Sequence, residues 1–327
     1  MSLDADTIVD RRRLRRKLTF WRVVAAVLVI AAIGGAAMLF SDRGAGLASR
    51  PGNFIARIKV QGVIRGDTER VEALERLGKS NARAVVLHVD SPGGTTAGSE
   101  QLLTALRKLA AQKPLVVVVD GIAASGGYIT AMSADHIVAQ STSLVGSIGV
   151  IFQYPNVTEL MKTVGVKVEE VKSSPLKAAP NGFEPTSAEA RAAIEAIVKD
   201  SYAWFRGIVT ERRKLEGPAL ETVADGRVFT GRQAVELKLV DEVGDESTAI
   251  AWLATERKID PRTPVRDWQL KDRIGNLSFL HLGMSALLES VGLHALAQYV
   301  ADTGTVQAIE RMNLDGLLAL WHPPAAN

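Results

Sequence analysis
Apolar positions along the chain fall into three regimes. Val23–Phe40 (VVAAVLVIAAIGGAAMLF) is an unbroken run of eighteen residues without a charge. At about 1.5 Å per residue, with Phe20 and Trp21 before it, such a run can cross a hydrocarbon core of about 30 Å. From Phe54 onward, short apolar runs alternate with stretches of helical period. Phe54–Ile64 alternates apolar and polar residues and predicts a strand. Val71, Leu74 and Leu77 recur at helical spacing, whereas Ala84–Val89 and Leu115–Val119 are β-branched runs that predict buried strands. Leu102, Leu103, Leu106 and Leu109 predict a helix stopped by Pro114. A helix over 156–164, a strand over 166–171 and a long helix from about Thr186 to Glu211 follow. Strands alternating with helices indicate an α/β domain, expected over residues 54–258. In the third regime, beyond Pro261, apolar clusters (LSFLHLGMSALLESVGLHALAQYV, then LDGLLALW) are broken by Gly and polar residues. They predict a tail, 259–327, of short amphipathic helices that lie on the domain, on a partner subunit or on a membrane surface.

Charge sharpens the N-terminal picture. The chain has 39 Lys+Arg and 36 Asp+Glu over 327 residues, and a basic pI near 9.1. Residues 1–40 hold seven of the basic residues (Arg11, Arg12, Arg13, Arg15, Arg16, Lys17, Arg22) and three of the acids (Asp4, Asp6, Asp10). The remainder therefore carries 32 basic and 33 acidic residues. The body is not basic, which argues against nucleic acid as a partner. The basic cluster instead precedes the apolar run, and the positive-inside rule then places residues 1–20 in the cytoplasm. The expected order is a basic segment 1–20, a transmembrane anchor 21–41 in the lipid bilayer, a linker 42–53 and an extracytoplasmic body. The alternative is a cleaved signal peptide, for which GAGLAS at 44–49 offers a cleavage site, but the apolar run exceeds the usual length of about 7–15 residues. No cysteine is present, so disulfides, thiolate metal sites and a cysteine nucleophile are excluded.

Three segments carry candidate chemistry. Asp90-Ser91-Pro92-Gly93-Gly94 directly follows the first buried strand, and its paired glycines expose backbone N–H groups and permit close approach of a ligand. Asp120-Gly121-Ile122-Ala123-Ala124-Ser125-Gly126-Gly127-Tyr128 follows the second and precedes a helix expected at Tyr128–Ser133. Ser125 would sit on a sharp turn at a helix N-terminus, with the logic of a nucleophile elbow but not its G-x-S-x-G spelling. A plain helix N-cap is the competing role. A nucleophilic serine needs a base. Of the five histidines, His136 would be about 16 Å along a continued helix and out of reach. His88 lies in a buried strand and is expected to be a satisfied core residue. His281, His294 and His322 fall in the weakly patterned tail. Lysine is the next candidate, because desolvation can lower an ammonium pKa from about 10.4 toward neutrality. Lys172-Ser173-Ser174-Pro175-Leu176-Lys177-Ala178-Ala179-Pro180 offers Lys177 among apolar residues, though spacing alone does not select it over Lys172 or Lys167.

DSPGG at 90–94, ASGGY at 124–128, AD at 134–135, GSIGV at 146–150, KSSPLKAAP at 172–180 and ADGRVFTGRQAVELKLVDEVG at 224–244 occur in the order seen in signal peptide peptidase A. Across about residues 54–258 the chain resembles the short, single-repeat bacterial form of that family. The resemblance implies a Ser/Lys serine protease on an α/β fold shared with Clp protease and crotonases, preceded by one N-terminal transmembrane helix. It implies Ser125 as nucleophile, Lys177 as general base and Ser147 as the residue that orients the lysine. The N–H groups of Gly126 and of Gly94 (or Gly93) would form the oxyanion hole, with no metal and no cofactor. Two departures stand out: Asp90 where the family commonly has Asn, and Ser174 where its KSG motif has glycine. The resemblance further implies apolar peptide substrates such as remnant signal peptides, and a ring-like homo-oligomer, eightfold, around an enclosed cavity. It also implies a single-pass place in the bacterial inner (cytoplasmic) membrane with the catalytic domain periplasmic. Two rivals are a crotonase-like enzyme acting on an acyl thioester and a non-catalytic membrane scaffold of the same fold.

Overall fold
A computed structural model describes residues 17, 20–24, 52–270 and, as backbone, 317–320. The chain divides into two units, residues 1–51 with 272–313, and residues 52–271 with 314–327. Of the first, Lys17 and Phe20–Val24 are helical. No helix among the described residues is long and apolar enough to cross a membrane. The expected span over 21–41 lies outside them beyond residue 24, as does most of the tail expected to form short amphipathic helices over 259–327; where that tail is described it is not helical, and the LDGLLALW cluster carries a strand at 317–320.

The second unit is built on an eight-stranded, mainly parallel sheet. Its elements are β1 (Phe54–Gln61), α1 (Thr68–Gly78), β2 (Ala82–Ser91), β3 (Gly93–Thr95), α2 (Thr96–Ala110), β4 (Leu115–Ala124), α3 (Gly126–Ala131), β5 (His136–Ala139) and β6 (Leu144–Gly146). They continue as β7 (Ile151–Phe152), α4 (Thr158–Val164), α5 (Ala188–Arg213), α6 (Gly217–Val223), β8 (Val228–Thr230), α7 (Gly231–Glu236), β9 (Glu242–Val243), α8 (Glu246–Arg257), β10 (Val265–Asp267) and β11 (Leu317–Leu320). The main order is β10-β1-β2-β4-β5-β9, all parallel; β6 joins β4 in parallel, and β8 pairs antiparallel with β6. A second sheet has the order β3-β11-β7. This mixed α/β architecture with a parallel-dominated sheet fits the fold expected from sequence. The sheet extends past residue 258, because β10 pairs with β1 through Ile55–Arg57.

The period of two along each strand sorts its side chains between two cores. On one face Val85, Leu87, Val89, Val117 and Val119 pack with Leu74 and Leu77 of α1, Leu102 and Leu106 of α2 and Phe205 of α5. On the other, Ile55, Val86, Val116, Val118 and Val138 pack against Ala249 and Leu253 of α8. The same alternation brings Arg57, His88 and Asp120 to the α8 side. There His88 Nδ1 is 2.8 Å from Asp120 Oδ1 and its Nε2 is 2.7 Å from Glu246 Oε2. Arg57 donates to both carboxylate oxygens of Glu246 at 2.6 Å. His88 is thus a satisfied, largely buried histidine.

One expected strand does not form: residues 166–171 have no regular structure and are exposed. Their apolar alternation had no neighbouring strand to complete a ladder, and a strand needs a partner for its backbone groups. The helix expected at Tyr128–Ser133 starts earlier, at Gly126, directly after Ser125.

Candidate active site
The site originates in a split of β4. Its first half pairs with β5, Val116–Val119 against His136–Ala139, and its second half with β6, Ile122–Ala124 against Leu144–Gly146. Opposite β2 the register passes from Val89↔Val119 to Ser91↔Ala123, so β4 carries two more residues than its partner across that step. Asp90 stabilises the irregularity: its carboxylate accepts from the Ile122 N–H at 3.2 Å. A Cβ on Gly121 would lie 2.8 Å from that carboxylate, which explains glycine at the bulge.

Ser125 directly follows β4 and precedes α3. Its N–H donates to Gly146 O at 2.8 Å, the last rung of the β4–β6 ladder, and its carbonyl accepts from Ile129 N at 2.9 Å, the first turn of α3. Held by both elements, it adopts φ 52° and ψ −116°, a left-handed conformation that a non-glycine residue keeps only when its surroundings enforce it. It is 1% exposed, and its Oγ lies 3.5 Å from Gly149 O. Beside it the chain is tight: a Cβ on Gly127 would come within 2.4 Å of Ser91 O. Tyr128 is fully buried and donates its hydroxyl to Leu239 O at 2.7 Å, which anchors α3; burial pushes its phenol pKa upward.

Ser147 occupies the equivalent position after β6. The pairing Ala124↔Gly146 places the two serines at the ends of adjacent parallel strands, about 4.8 Å apart in the ladder direction. Ser147 also has positive φ, 50°, and is nearly buried; its N–H donates to Arg227 O at 2.8 Å.

The glycine pair is held against β1's exit. Ile64 N donates to Gly93 O at 2.8 Å and Thr95 N to Ile64 O at 2.9 Å. A Cβ on Gly94 would stand 1.7 Å from Ile64 O, so no side chain fits there. Gly93, at φ 111°, donates its N–H to Ser91 Oγ at 3.1 Å, and Ser91 Oγ donates to Gly62 O at 2.7 Å. Gly126 opens α3, where a first-turn N–H has no intrahelical acceptor.

Lys177 lies apart from these residues. It is exposed, in a turn whose N–H donates to Ser174 O at 3.1 Å, and its amine makes no hydrogen bond to Ser125 or Ser147 within the chain. The neighbouring Lys172 is instead bound between Glu170 and Glu184, at 2.6 and 2.5 Å, and those partners raise its pKa. Ser125, Ser147 and the glycines are therefore brought together by the fold, and Lys177 is not brought to them in one chain. Sequence reasoning missed Ser91, Gly149 and Arg227 as supports of the site. All three lie inside the motifs already singled out, but their contacts use backbone atoms or a small hydroxyl and leave no spacing signal.

Comparison with known proteins agrees with the fold. Residues 107–260 match Peptidase family S49. A candidate protease of Synechocystis sp. is 38% identical over 209 residues, 63% of this chain and 76% of the relative. Protease 4 of Haemophilus influenzae is 31% identical over 247 residues, 70% of this chain but 39% of the relative. The chloroplastic serine protease SPPA of Arabidopsis thaliana is 28% identical over 278 residues, 82% of this chain and 40% of the relative. The strand split that presents Ser125, the ordered motifs around it and these matches converge on one conclusion: the chain belongs to peptidase family S49, the signal peptide peptidase A family.

Proposed function
We propose that the chain is a membrane-anchored serine endopeptidase that hydrolyses apolar peptides such as remnant signal peptides. The observation that carries this reading is the buried, positive-φ Ser125 at a strand-to-helix turn with Ser147 on the adjacent strand. Neutral Lys177 takes the Ser125 hydroxyl proton as Oγ attacks the peptide carbonyl, and Ser147 aims the amine. The tetrahedral oxyanion is held by the N–H groups of Gly126 and Gly94. That the Gly93 N–H is already engaged by Ser91 Oγ supports Gly94 as the second donor. Lys177 then protonates the leaving amine, and water attacks the acyl-enzyme, returning its proton through Lys177 and freeing the acid.

The exposure of Lys177 supports closure of the dyad on assembly. In the same segment of the chain Leu160, Val164, Val168, Val171 and Phe183 are also exposed, apolar residues suited to burial between copies of a homo-oligomeric, eightfold ring. The apolar run at 23–40, with its preceding arginines, supports an inner-membrane anchor over 21–41 and a periplasmic body. Tethering would raise the local concentration of membrane-borne peptides at the site.

The decisive assay is hydrolysis of a fluorogenic apolar peptide by the full chain. Ser125→Ala should fall to background, and Lys177→Ala should lose about 10²–10⁴-fold, the worth of a general base. Full activity in either variant would remove the dyad, and turnover of a CoA thioester independent of Ser125 would replace it with crotonase-like chemistry. A topology reporter fused after residue 50 should report from outside the cytoplasm; a cytoplasmic signal would reverse the orientation.

A further inference from the structure
Asp120 and Gly121, in the middle of β4, have no strand partner on either side. Toward β2 the register passes from Val89↔Val119 to Ser91↔Ala123, so Asp90 alone stands opposite Asp120, Gly121 and Ile122. Toward the other neighbours the β5 ladder ends at Val119↔Ala139 and the β6 ladder begins at Ile122↔Leu144. An interrupted ladder leaves backbone groups that must be met in some other way.

Two side chains meet them. From β2, the Asp90 carboxylate accepts from Ile122 N–H at 3.2 Å. From the turn before β6, the Ser143 hydroxyl donates to Val119 O and Asp120 O, each at 3.0 Å. Ser143 is buried, and its own N–H donates to Gln140 O at 3.1 Å. Successive carbonyls of a regular strand point to opposite sides, so two that share one hydroxyl mark the place where β4 departs from regularity. A carboxylate on one side and a hydroxyl on the other thus stand in for the missing rungs.

The bulge decides where Ser125 comes to rest. The two surplus residues of β4 set which of its residues arrives beside Gly146: past the bulge Ala124 pairs with Gly146, and Ser125 N donates to Gly146 O. Ile122 is three residues from Ser125, about 10 Å of strand, so a displacement at the bulge is carried directly to the serine. Asp90 also belongs to the other half of the site. It directly precedes Ser91-Pro92-Gly93-Gly94, and its carbonyl accepts from Gly62 N at 3.0 Å, a bond that a change of side chain leaves in place. One residue thereby relates the strand that carries the serine to the segment that carries the candidate oxyanion glycines.

We propose that Asp90 and Ser143 are positioning residues for hydrolysis: together they clamp the bulge of β4 and so fix Ser125 Oγ relative to Ser147 and Gly94. The proposal rests on the reading of Ser125 as the nucleophile. Neither residue is placed against the substrate, so the consequence falls on the chemical step and not on binding.

The test assays Asp90→Ala and Ser143→Ala, each in the full chain, with a fluorogenic apolar peptide. Each should lower kcat about 10–100-fold per folded molecule, the effect of a misplacement of about 1 Å, with KM changed by less than about twofold. Asp90→Asn keeps an acceptor oxygen and should return kcat to within about threefold of the native value. A second measurement needs no turnover. In a Ser125→Ala background, amide hydrogen exchange over residues 120–126 should quicken at least about tenfold when either alanine is added, with exchange in α1 unchanged. Native kcat in both alanine variants, a loss that Asp90→Asn does not restore, a raised KM at constant kcat, or unchanged exchange over 120–126 would overturn the proposal. Faster exchange with no hydrolysis by any form, the native chain included, would leave the clamp in place and count against Ser125 as nucleophile.

Discussion
Ser125 sits at φ 52°, where only glycine is at ease, and the hydrogen bonds of its N–H to Gly146 and its carbonyl to Ile129 hold it there. Such a conformation costs on the order of 1–3 kcal/mol in a non-glycine residue. Ser125→Gly should therefore raise the stability of the folded unit by about 1 kcal/mol while abolishing hydrolysis. A urea titration would show a higher midpoint; an equal or lower midpoint would mean the turn is unstrained. Ser125 itself was legible in sequence, because small residues between a buried strand and a helix leave few alternatives. Its partner was less so. Lys177 was selected by resemblance, and in the chain it is an exposed turn residue; nothing in KSSPLKAAP encodes a contact with Ser125. Gly94 shows a third situation. Its need for glycine arises from Ile64 O, thirty residues away in sequence, and no local pattern announces that contact.

At the scale of elements, α8 is fastened to the sheet by charge as well as by Ala249 and Leu253. Glu246, in its first turn, accepts from Arg57 and is bonded to His88, whose other nitrogen faces Asp120; Arg57 also reaches Asp267 of β10 at 3.0 Å. The Arg57 guanidinium, chiefly by hydrogen bonding, holds the Glu246 carboxyl below its ordinary value, with His88 adding to the effect and burial opposing it. A depressed carboxyl pKa contributes stability above the unfolded value of about 4.3, and that contribution is lost as pH falls through the folded value. Glu246→Gln should cost about 1–3 kcal/mol at pH 7, leaving Arg57 and His88 short of a charged acceptor. The gap between the two melting temperatures should close progressively below about pH 4.3. A gap that persisted undiminished at pH 3 would show that packing, not charge, is lost. The strand alternation that aligns Arg57, His88 and Asp120 is visible in the sequence, but their common partner on α8 is not, because it lies 126 residues or more downstream of each.

At the scale of the whole molecule, exposed large apolar residues concentrate, among the described residues, between β7 and α5. Tyr154 and Thr186 join their hydroxyls at 2.7 Å, and Val157 N donates to Gly182 O at 2.9 Å, so the segment is fastened at its base while Val164 and Val171 face outward. Being exposed, they can be changed with little effect on the chain's own fold. The double variant Val164→Asp and Val171→Asp should run as a smaller species in light scattering and lose peptide hydrolysis together with assembly. An unchanged mass with full activity would show that the dyad closes within one copy and that this surface has another purpose.

Local information was sufficient for what local chemistry controls. The apolar run and its arginines, the buried strands before DSPGG and ASGGY, the helix faces of α1, α2 and α5, and the serine turn all follow from periodicity, β-branching and glycine content in contiguous residues. Tertiary structure decided whatever depends on atoms distant in sequence. It split β4 between β5 and β6 and so set Ser125 beside Ser147, and it denied 166–171 a partner strand. It pressed Ile64 against Gly94 and laid 317–320 between β3 and β7. Pairing between strands is a property of two segments at once, and a single segment, however clear its period, does not record which other one it will meet.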